Sequence, residues 1–404
     1  MAIAHEEVTL RWEPDPQALG GRRARRAVPY RAYIPQAIAE LDPLISSSLA
    51  AAILDTEQAC RELESEGERE QPNLETLARQ LLRAESVASS RIEGVIVSHR
   101  RLAKAAFIGG EGDFAARSVL QNIEGMLRAL ELATQAPRLT KETFAVIHQA
   151  MFVGTPDERH AGVIRDGQNW IGGEATTPAN ADFVPPPASE VERLLDDLGA
   201  FCDRDDLSPV LQAAIAHSQF ETVHPFWDGN GRAGRALIHV VLRRRGLVER
   251  FQPPVSLVLA AHADAYVRGL TSYRYGDESD WYALFADALR IAAVGSAGFA
   301  ERVRELQGEW RKRAGNPRRG SAAAVLIDLL PSHPVVNLRT AMELTGASDQ
   351  SVLRAFDRLE VAGVLRQTSV GRRNRAFESV GLFALMDDFE RRLGPSERTP
   401  AGTR

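Results

Sequence analysis

His224-Pro225-Phe226-Trp227-Asp228-Gly229-Asn230-Gly231-Arg232-Ala233-Gly234-Arg235 is the stretch on which the reading of this chain turns. An imidazole, a carboxylate, a Gly-Asn-Gly turn and two guanidiniums stand within twelve residues, directly ahead of an apolar run. Glycine tolerates backbone dihedrals that side chains forbid, so the turn can aim N–H groups at an anion. The run from Arg232 to Arg245 reads as a helix whose N-terminus brings the positive end of a dipole to the same place. Arg232 and Arg235 lie three apart and share a face of its first turn. Asp228 is a hard oxygen ligand suited to Mg²⁺, and His224 is the side chain that titrates near neutral pH. The set describes a site for a nucleoside triphosphate. A helix–turn–helix corner, with His224 as a cap and both arginines solvated, is the competing reading, and it leaves the coincidence of these groups without a reason.

Working outward, the chain is predominantly helical. Periodic apolar positions predict helices near 43–66, from Asn73 as N-cap to a stop at Gly94, around Val119 to Leu130, over Thr140 to Phe152, and near 189–202 and 208–223. Trp281 to Val294 closes this helical core. Residues 1 to about 35 are rich in Pro, Gly and Arg and read as an extended arm, while Lys312 to Gly320 reads as a linker. The expected organisation is a helical N-terminal region over 1–115, a core over 116–295, a linker over 296–320, a winged helix-turn-helix over 321–393 and a tail over 394–404.

The bulk properties exclude several classes. The 404 residues allow two or three domains with real cores. A formal net charge of −5 does not announce a nucleic-acid binder, so any such contact must be local. Cys60 and Cys202 are the only cysteines and lack metal-ligand spacing, which argues against a disulfide scaffold or zinc site and fits a reducing cytoplasm. The Arg22-Arg23 and Arg25-Arg26 pairs are followed by Val28, Pro29, Tyr30 and Arg31, which break any export signal. No apolar run is expected to reach the length of a membrane span, so a membrane is not an expected partner.

The quoted stretch follows the pattern HxFx[D/E]GNGRxxR and resembles the signature of the Fic (filamentation induced by cAMP) family, most of whose members transfer AMP from ATP to protein hydroxyls. The resemblance implies a mainly α fold: a Fic-type helical core with a β-hairpin flap, a helical N-terminal region and a C-terminal winged helix. It implies an enzyme, a protein adenylyltransferase, with ATP as substrate, Mg²⁺ as cofactor and an unidentified protein as target. His224 is then the general base and Asp228 the metal ligand. Gly229, Asn230 and Gly231 form an anion hole for the α-phosphate, Arg232 clamps the β-phosphate and Arg235 the γ-phosphate, with Ala233 and Gly234 completing the nucleotide-binding run. The family's adenine pocket often carries two adjacent tyrosines. Here Ala265-Tyr266-Val267 supplies Tyr266 alone.

Two further segments extend the resemblance. Ser89-Ser90-Arg91-Ile92-Glu93-Gly94 matches the [S/T]xxxE[G/N] inhibitory motif, with Ser89 and Glu93 one helical turn apart. In relatives the motif's glutamate pairs with the last signature arginine, which implies a Glu93–Arg235 contact that displaces the γ-phosphate, and in some it positions water to remove AMP. Arg165, Gln168, Trp170, Ile171, Gly172 and Gly173, with Phe183 and Val184 later, resemble the flap that holds a target segment by strand addition.

Residues 321–393 follow a winged helix-turn-helix pattern. Helices are expected over Ala322 to Leu330, Leu338 to Leu344 and Asp349 to Ala362, with Ser348 as a cap. A wing tip at Gly371-Arg372-Arg373-Asn374-Arg375 offers Arg372, Arg373 and Arg375 to phosphates. Against DNA, the recognition-type helix sets Asp349, Asp357 and Glu360 beside Arg354 and Arg358. DNA, a docked protein and a second copy of this chain are therefore all candidate partners. Two alternatives to the adenylyltransferase stand beside it: a nucleotide-sensing DNA-binding regulator with little turnover, and a transferase of another group such as UMP, phosphate or phosphocholine.

Overall fold

A computed structural model describes residues 4–13, 26–68, 74–108, 113–152, 158–174, 176–370 and 374–394. The described residues form fifteen α-helices and two small antiparallel sheets. The chain divides into two compact units: Met1–Leu54, Glu124–Leu247 and Asp264–Ala286 make the first, and Asp55–Ile123, Val248–Ala263 and Asp287–Arg404 the second.

The first unit is built on α7, Pro209–Val223, in which every residue from Val210 onward is buried. Its start is set by Pro209 at the first helical position and by Ser208, whose side chain accepts the Leu211 N–H. A helix buried all round must satisfy its polar side chains internally. Accordingly Gln212 donates to the carbonyls of Phe201 and Arg204 at 2.8 and 3.0 Å, and Gln219 donates to that of Gln36 at 3.1 Å. Helix α8, Asn230–Arg244, lies against α7, flanked by α5, Lys141–Phe152, and α6, Ala188–Cys202. Later in the chain, α10, Ala263–Tyr275, buries Tyr266, Tyr273 and Arg274.

The N-terminal segment corrects the expected extended arm. Strands β1, His5–Trp12, and β2, Val28–Pro35, pair antiparallel in register from His5↔Pro35 to Trp12↔Val28. In VPYRAYIP the alternation buries Tyr33 and Pro35 on one face, and Ala32 is buried on the other. The Pro and Arg content of the segment hid this period of two.

In the second unit α2, Leu74–Ile92, packs on α9, Val255–Ala261. The buried Glu85 carboxylate accepts the Ser256 N–H at 2.8 Å and the Ser256 hydroxyl, so a side chain of α2 caps the start of α9. The proposed Asn73 cap lies outside the described residues. Helix α3, His99–Ile108, and α4, Phe114–Gln135, close over α2 through Val87, Val97, Leu102, Ala105, Ala116 and Val119.

Helix α11, Glu278–Arg313, corrects two expectations. The linker expected over 296–320 is helical as far as Arg313, because Phe299, Val303 and Trp310 carry the buried stripe onward. By length and composition α11 also qualifies as a candidate membrane span, with half of its most apolar stretch buried inside the fold. Core helices of globular folds share that length and composition, and Trp281, Tyr282, Phe285 and Leu289 are buried in this way.

The C-terminal elements run α12, Ala322–Leu329; β3, Val335–Asn337; α13, Leu338–Thr345; α14, Asp349–Val361; β4, Leu365–Val370; β5, Asn374–Ser379; and α15, Leu382–Leu393. The sheet order is β3-β5-β4. Ser348 stands at the N-cap of α14 as expected, but its hydroxyl meets Ser351 at 3.1 Å rather than a backbone amide. Glu390 on α15 accepts from Arg91 of α2 and meets His99 of α3, each at 2.7 Å. Burial pushes the Glu390 carboxyl up, but His99 and Arg91 outweigh it and hold it down at about 2.

A carboxyl lowered in the folded state stabilises above its unfolded value and loses that contribution as pH falls toward the folded one. Replacing Glu390 with Gln should cost about 1–2 kcal/mol at pH 7, discounted for the partial exposure of Arg91. The stability gap to wild type, followed by thermal unfolding, should close between pH 4.5 and about 2. A pH-independent gap would show that the carboxylate charge is not what holds these helices.

Candidate active site

The signature occupies the loop between α7 and α8. His224 is the C-cap of α7 in the left-handed region, φ 48° and ψ 61°. Such a backbone costs a non-glycine residue about 1–3 kcal/mol unless its surroundings hold it. Arg165 does so. Its Nε donates to the His224 carbonyl at 2.9 Å, Nη2 to the carbonyls of Val223 and Pro186 at 3.2 and 2.6 Å, and Nη1 to that of Gly167 at 2.9 Å. Asn169 adds donations to the carbonyls of His224 and Phe226 at 3.3 and 2.9 Å. Arg165 is 2% exposed, and burial lowers its pKa to about 10, with Tyr30 opposing, so it stays charged at neutral pH.

The His224 imidazole is pushed down to about 3, first by burial and then by the nearby charges of Arg274 and Arg165. Glu221 Oε2 stands 3.9 Å from its Nδ1, too far for a hydrogen bond. The buried Arg274 donates to the Thr222 hydroxyl at 3.1 Å and to the Glu221 carbonyl at 3.2 Å, with its guanidinium 3.8 Å from the Phe183 ring centroid. The imidazole is thus held neutral, the form that accepts a proton.

Beyond His224 the loop is pinned from inside. Asn230 Oδ1 accepts the Phe226 N–H at 2.9 Å, and its Nδ2 donates to the Phe226 carbonyl at 2.8 Å. Its side chain is therefore committed to the loop, which corrects the expectation that it faces a phosphate. Gly229 N–H donates to Asp228 Oδ1 at 2.7 Å, so that amide is likewise engaged. Gly229 has φ 74°, and a Cβ there would lie 2.1 Å from Phe152 Cζ, so glycine is required on both counts. The first helical bond of α8 runs from Ala233 N–H to Gly229 O at 3.1 Å. The amides of Asn230 and Gly231, at the first positions of the helix, have no acceptor within it, an end of the kind that can receive an anion.

Arg232 lies 4.3 Å from the Phe152 ring centroid and 3.7 Å from Asp228 Oδ2. Arg235, one turn on, is buried at 1% exposure. The Asp228 side chain is 67% exposed beside these amides. Among the described residues no group of three metal-ligating side chains occurs. One carboxylate beside an anion-receptive helix end suits a magnesium ion that takes its other oxygens from phosphates and water.

Tyr266 is 5% exposed and its hydroxyl meets Nε2 of the buried His217 at 2.8 Å. It is a core side chain beneath the site, which corrects its assignment as a pocket wall. The flap expectation is also modified. Ile171 and Phe183 form an isolated antiparallel bridge, with Ile171 N–H to Phe183 O at 2.9 Å and Phe183 N–H to Ile171 O at 3.2 Å. Phe183 and Val184 are buried, because β2 covers them: Tyr33 N–H donates to Val184 O at 3.0 Å. Trp170 meets Trp12 edge-on at 5.1 Å, and Gly172 turns the chain at φ 72°.

Ser89, buried, and Glu93, exposed in the turn after α2, belong to the second unit with Arg375. Arg372 and Arg373 lie outside the described residues. Reasoning from sequence missed the supporting groups Arg274, Glu221, His217 and His148. For Glu221 and His217 the available signal was polar residues inside an otherwise apolar helix that runs straight into the signature.

Residues 138–242 match the Fic/DOC family, and residues 52–131 match the Fic/DOC family N-terminal region. The chain is a Fic/DOC family protein. It is 33% identical over 114 residues to protein adenylyltransferase fic-1 of Caenorhabditis elegans, covering 28% of this chain and 20% of that protein. Over 171 residues it is 28% identical to protein adenylyltransferase Fic of Nematostella vectensis, covering 40% and 36%. The matches thus span well under half the length of these relatives. In fold it resembles the crystal structure of a Fic family protein from Desulfovibrio desulfuricans G20, with a TM-score of 0.52 at 19% identity, covering 84% of this chain and 98% of that one.

His224 should stay neutral far below the usual histidine value of 6.5. Its imidazole resonances, followed by two-dimensional NMR against a His224→Gln control, should show no titration above pH ~5. A midpoint near 6.5 would mean that burial and the two guanidiniums do not govern this ring.

Proposed function

We propose that this Fic protein is an adenylyltransferase that moves AMP from ATP to a hydroxyl of a target protein, and to itself, under restraint by Glu93. The observation that supports it best is the pairing of a neutral, fixed imidazole with the receptive end of α8 six residues later. The target oxygen attacks the α-phosphorus, the bond from that phosphorus to pyrophosphate breaks, and the hydroxyl proton passes to His224. General-base help of this kind contributes about 10²–10⁴ in rate. The amides of Asn230 and Gly231 receive phosphate oxygens, a preorganised arrangement worth about 2.7–4 kcal/mol per donor in comparable sites. Arg232 is assigned to the β-phosphate and Arg235 to the γ-phosphate. Asp228 would hold Mg²⁺, which when bound offsets charge on the phosphates. Trp170, Ile171 and Gly172 are assigned to target docking. The demand for ATP fits the cytoplasm.

Glu93 takes the inhibitory role that its motif implies, its carboxylate competing with the γ-phosphate for Arg235. Holding 99% of molecules inactive needs about 2.7 kcal/mol, more than an exposed ion pair supplies, so inhibition calls for more than a solvated carboxylate. The same carboxylate can orient water for removal of AMP from a modified target. Labelled AMP incorporation should rise up to about a hundredfold in Glu93→Gly. It should disappear in Glu93→Gly/His224→Ala without loss of ATP binding, and drop sharply in Glu93→Gly/Arg235→Ala. Equal incorporation by wild type and Glu93→Gly would remove Glu93 from the account.

We read residues 321–393 as a winged helix that docks protein rather than DNA. The outward face of α14 carries Asp349, Leu353, Arg354, Asp357, Glu360 and Val361, a mostly acidic and apolar set, with Leu353 47% and Val361 91% exposed. Arg358 is occupied elsewhere, donating to the carbonyls of Ala314 and Gly315 at 2.7 and 3.0 Å. A duplex should therefore show no retention on the full chain at low salt, measured by fluorescence anisotropy. Tight, steeply salt-dependent binding that is lost on neutralising Arg372, Arg373 and Arg375 would reverse the reading in favour of a DNA-binding regulator.

A further inference from the structure

His148 lies outside the signature, on α5, yet its ring is built into the signature loop. It is 1% exposed and held between two rings, Phe152 at 4.4 Å and 18° and Phe226 at 3.9 Å and 16°. Both nitrogens are committed. Nδ1 accepts the Gly162 N–H at 2.9 Å, which leaves the proton of the neutral ring on Nε2. Nε2 then donates to the Asp228 carbonyl at 2.9 Å. Stacking alone would be served by a third phenyl ring, so the two hydrogen bonds are what require histidine.

The carbonyl that His148 holds belongs to the peptide joining Asp228 to Gly229. A peptide is planar, so fixing its oxygen fixes its N–H. That N–H is the one that donates to Asp228 Oδ1 at 2.7 Å. One ring on α5 therefore sets a chain of three linked groups: the peptide plane, the carboxylate orientation and the entry of the backbone into α8. Rotation of the peptide would turn the carboxylate away and misalign the following amides together.

We propose that His148 is the positioning residue for the cation and phosphate end of the site, acting through the Asp228–Gly229 peptide. The inference rests on the adenylyltransferase reading in that it takes Asp228 as the residue that holds Mg²⁺. It parallels the way buried partners of metal-ligating groups set ligand orientation, where loss of the partner costs about 10–100-fold in metal affinity.

The test compares His148→Gln with His148→Asn in the full-length protein. A Gln amide reaches about as far as Nε2 and can keep the Asp228 bond, whereas an Asn amide reaches about as far as Nδ1 and can keep the Gly162 bond. ATP binding is measured by calorimetry with Mg²⁺ and with EDTA, and melting temperature is measured without nucleotide. The expected result is a Mg²⁺-dependent gain in ATP affinity that is largely retained in Gln and reduced at least about tenfold in Asn, at similar melting temperatures. His148→Phe, which keeps the stack and neither bond, should behave as Asn. Equal gains in Gln, Asn and wild type would overturn the inference. So would equal losses in both that track their melting temperatures, since His148 would then be core alone. A wild type that binds ATP with no Mg²⁺-dependent gain would instead overturn the adenylyltransferase reading, and His148's role with it.

Discussion

The left-handed turn at His224 depends on one buried guanidinium. Arg165 donates to the carbonyls of His224, Val223, Gly167 and Pro186, which belong to the end of α7, the signature and both limbs of the flap. A buried charge left unbonded would cost far more than the strain it holds. Satisfied by four carbonyls, it converts that cost into a constraint, because none of the four segments can move without exposing an unpaired donor. The 167–186 segment and the signature loop are in this sense one structure.

The same burial tunes the chemistry. Arg165 and Arg274 lie behind His224 and, with desolvation, keep its imidazole neutral. A strongly lowered pKa makes a weak base in water, and here it keeps the ring unprotonated beside the two guanidiniums.

The second unit shows how the C-terminal elements earn their place beside α2. Glu390 gathers Arg91 from the end of α2 and His99 from the start of α3. The Arg100 guanidinium lies 5.3 Å from the Phe383 ring centroid and 3.5 Å from Glu378. The turn holding Glu93 lies between Arg91 and His99, so its two flanks are tied to α15 by a single carboxylate. The basic side chains of α3 are thereby used for packing within the unit, in keeping with a module whose exposed helix face is acidic and apolar.

Much of this protein was legible in its residues. The period of 3.6 marked α5, α6, α8 and α12 to α14 within a few positions, because each buries a stripe that side-chain chemistry announces, whereas α7 is buried all round. The signature announced its own site, since glycine, asparagine, aspartate and paired arginines have few other reasons to stand together. Other features were settled only by tertiary structure. Asn230 could face a phosphate or brace Phe226, and both use the same amide. Tyr266 could line a pocket or bond His217, and only depth distinguishes these. The strands at the N-terminus were masked by their Pro and Arg content, and α11 outran its expected end because its buried stripe found new partners. Spacing along a chain reports which groups share a face. It does not report which of several competent partners, distant in sequence, will occupy a hydrogen-bonding group once water is excluded.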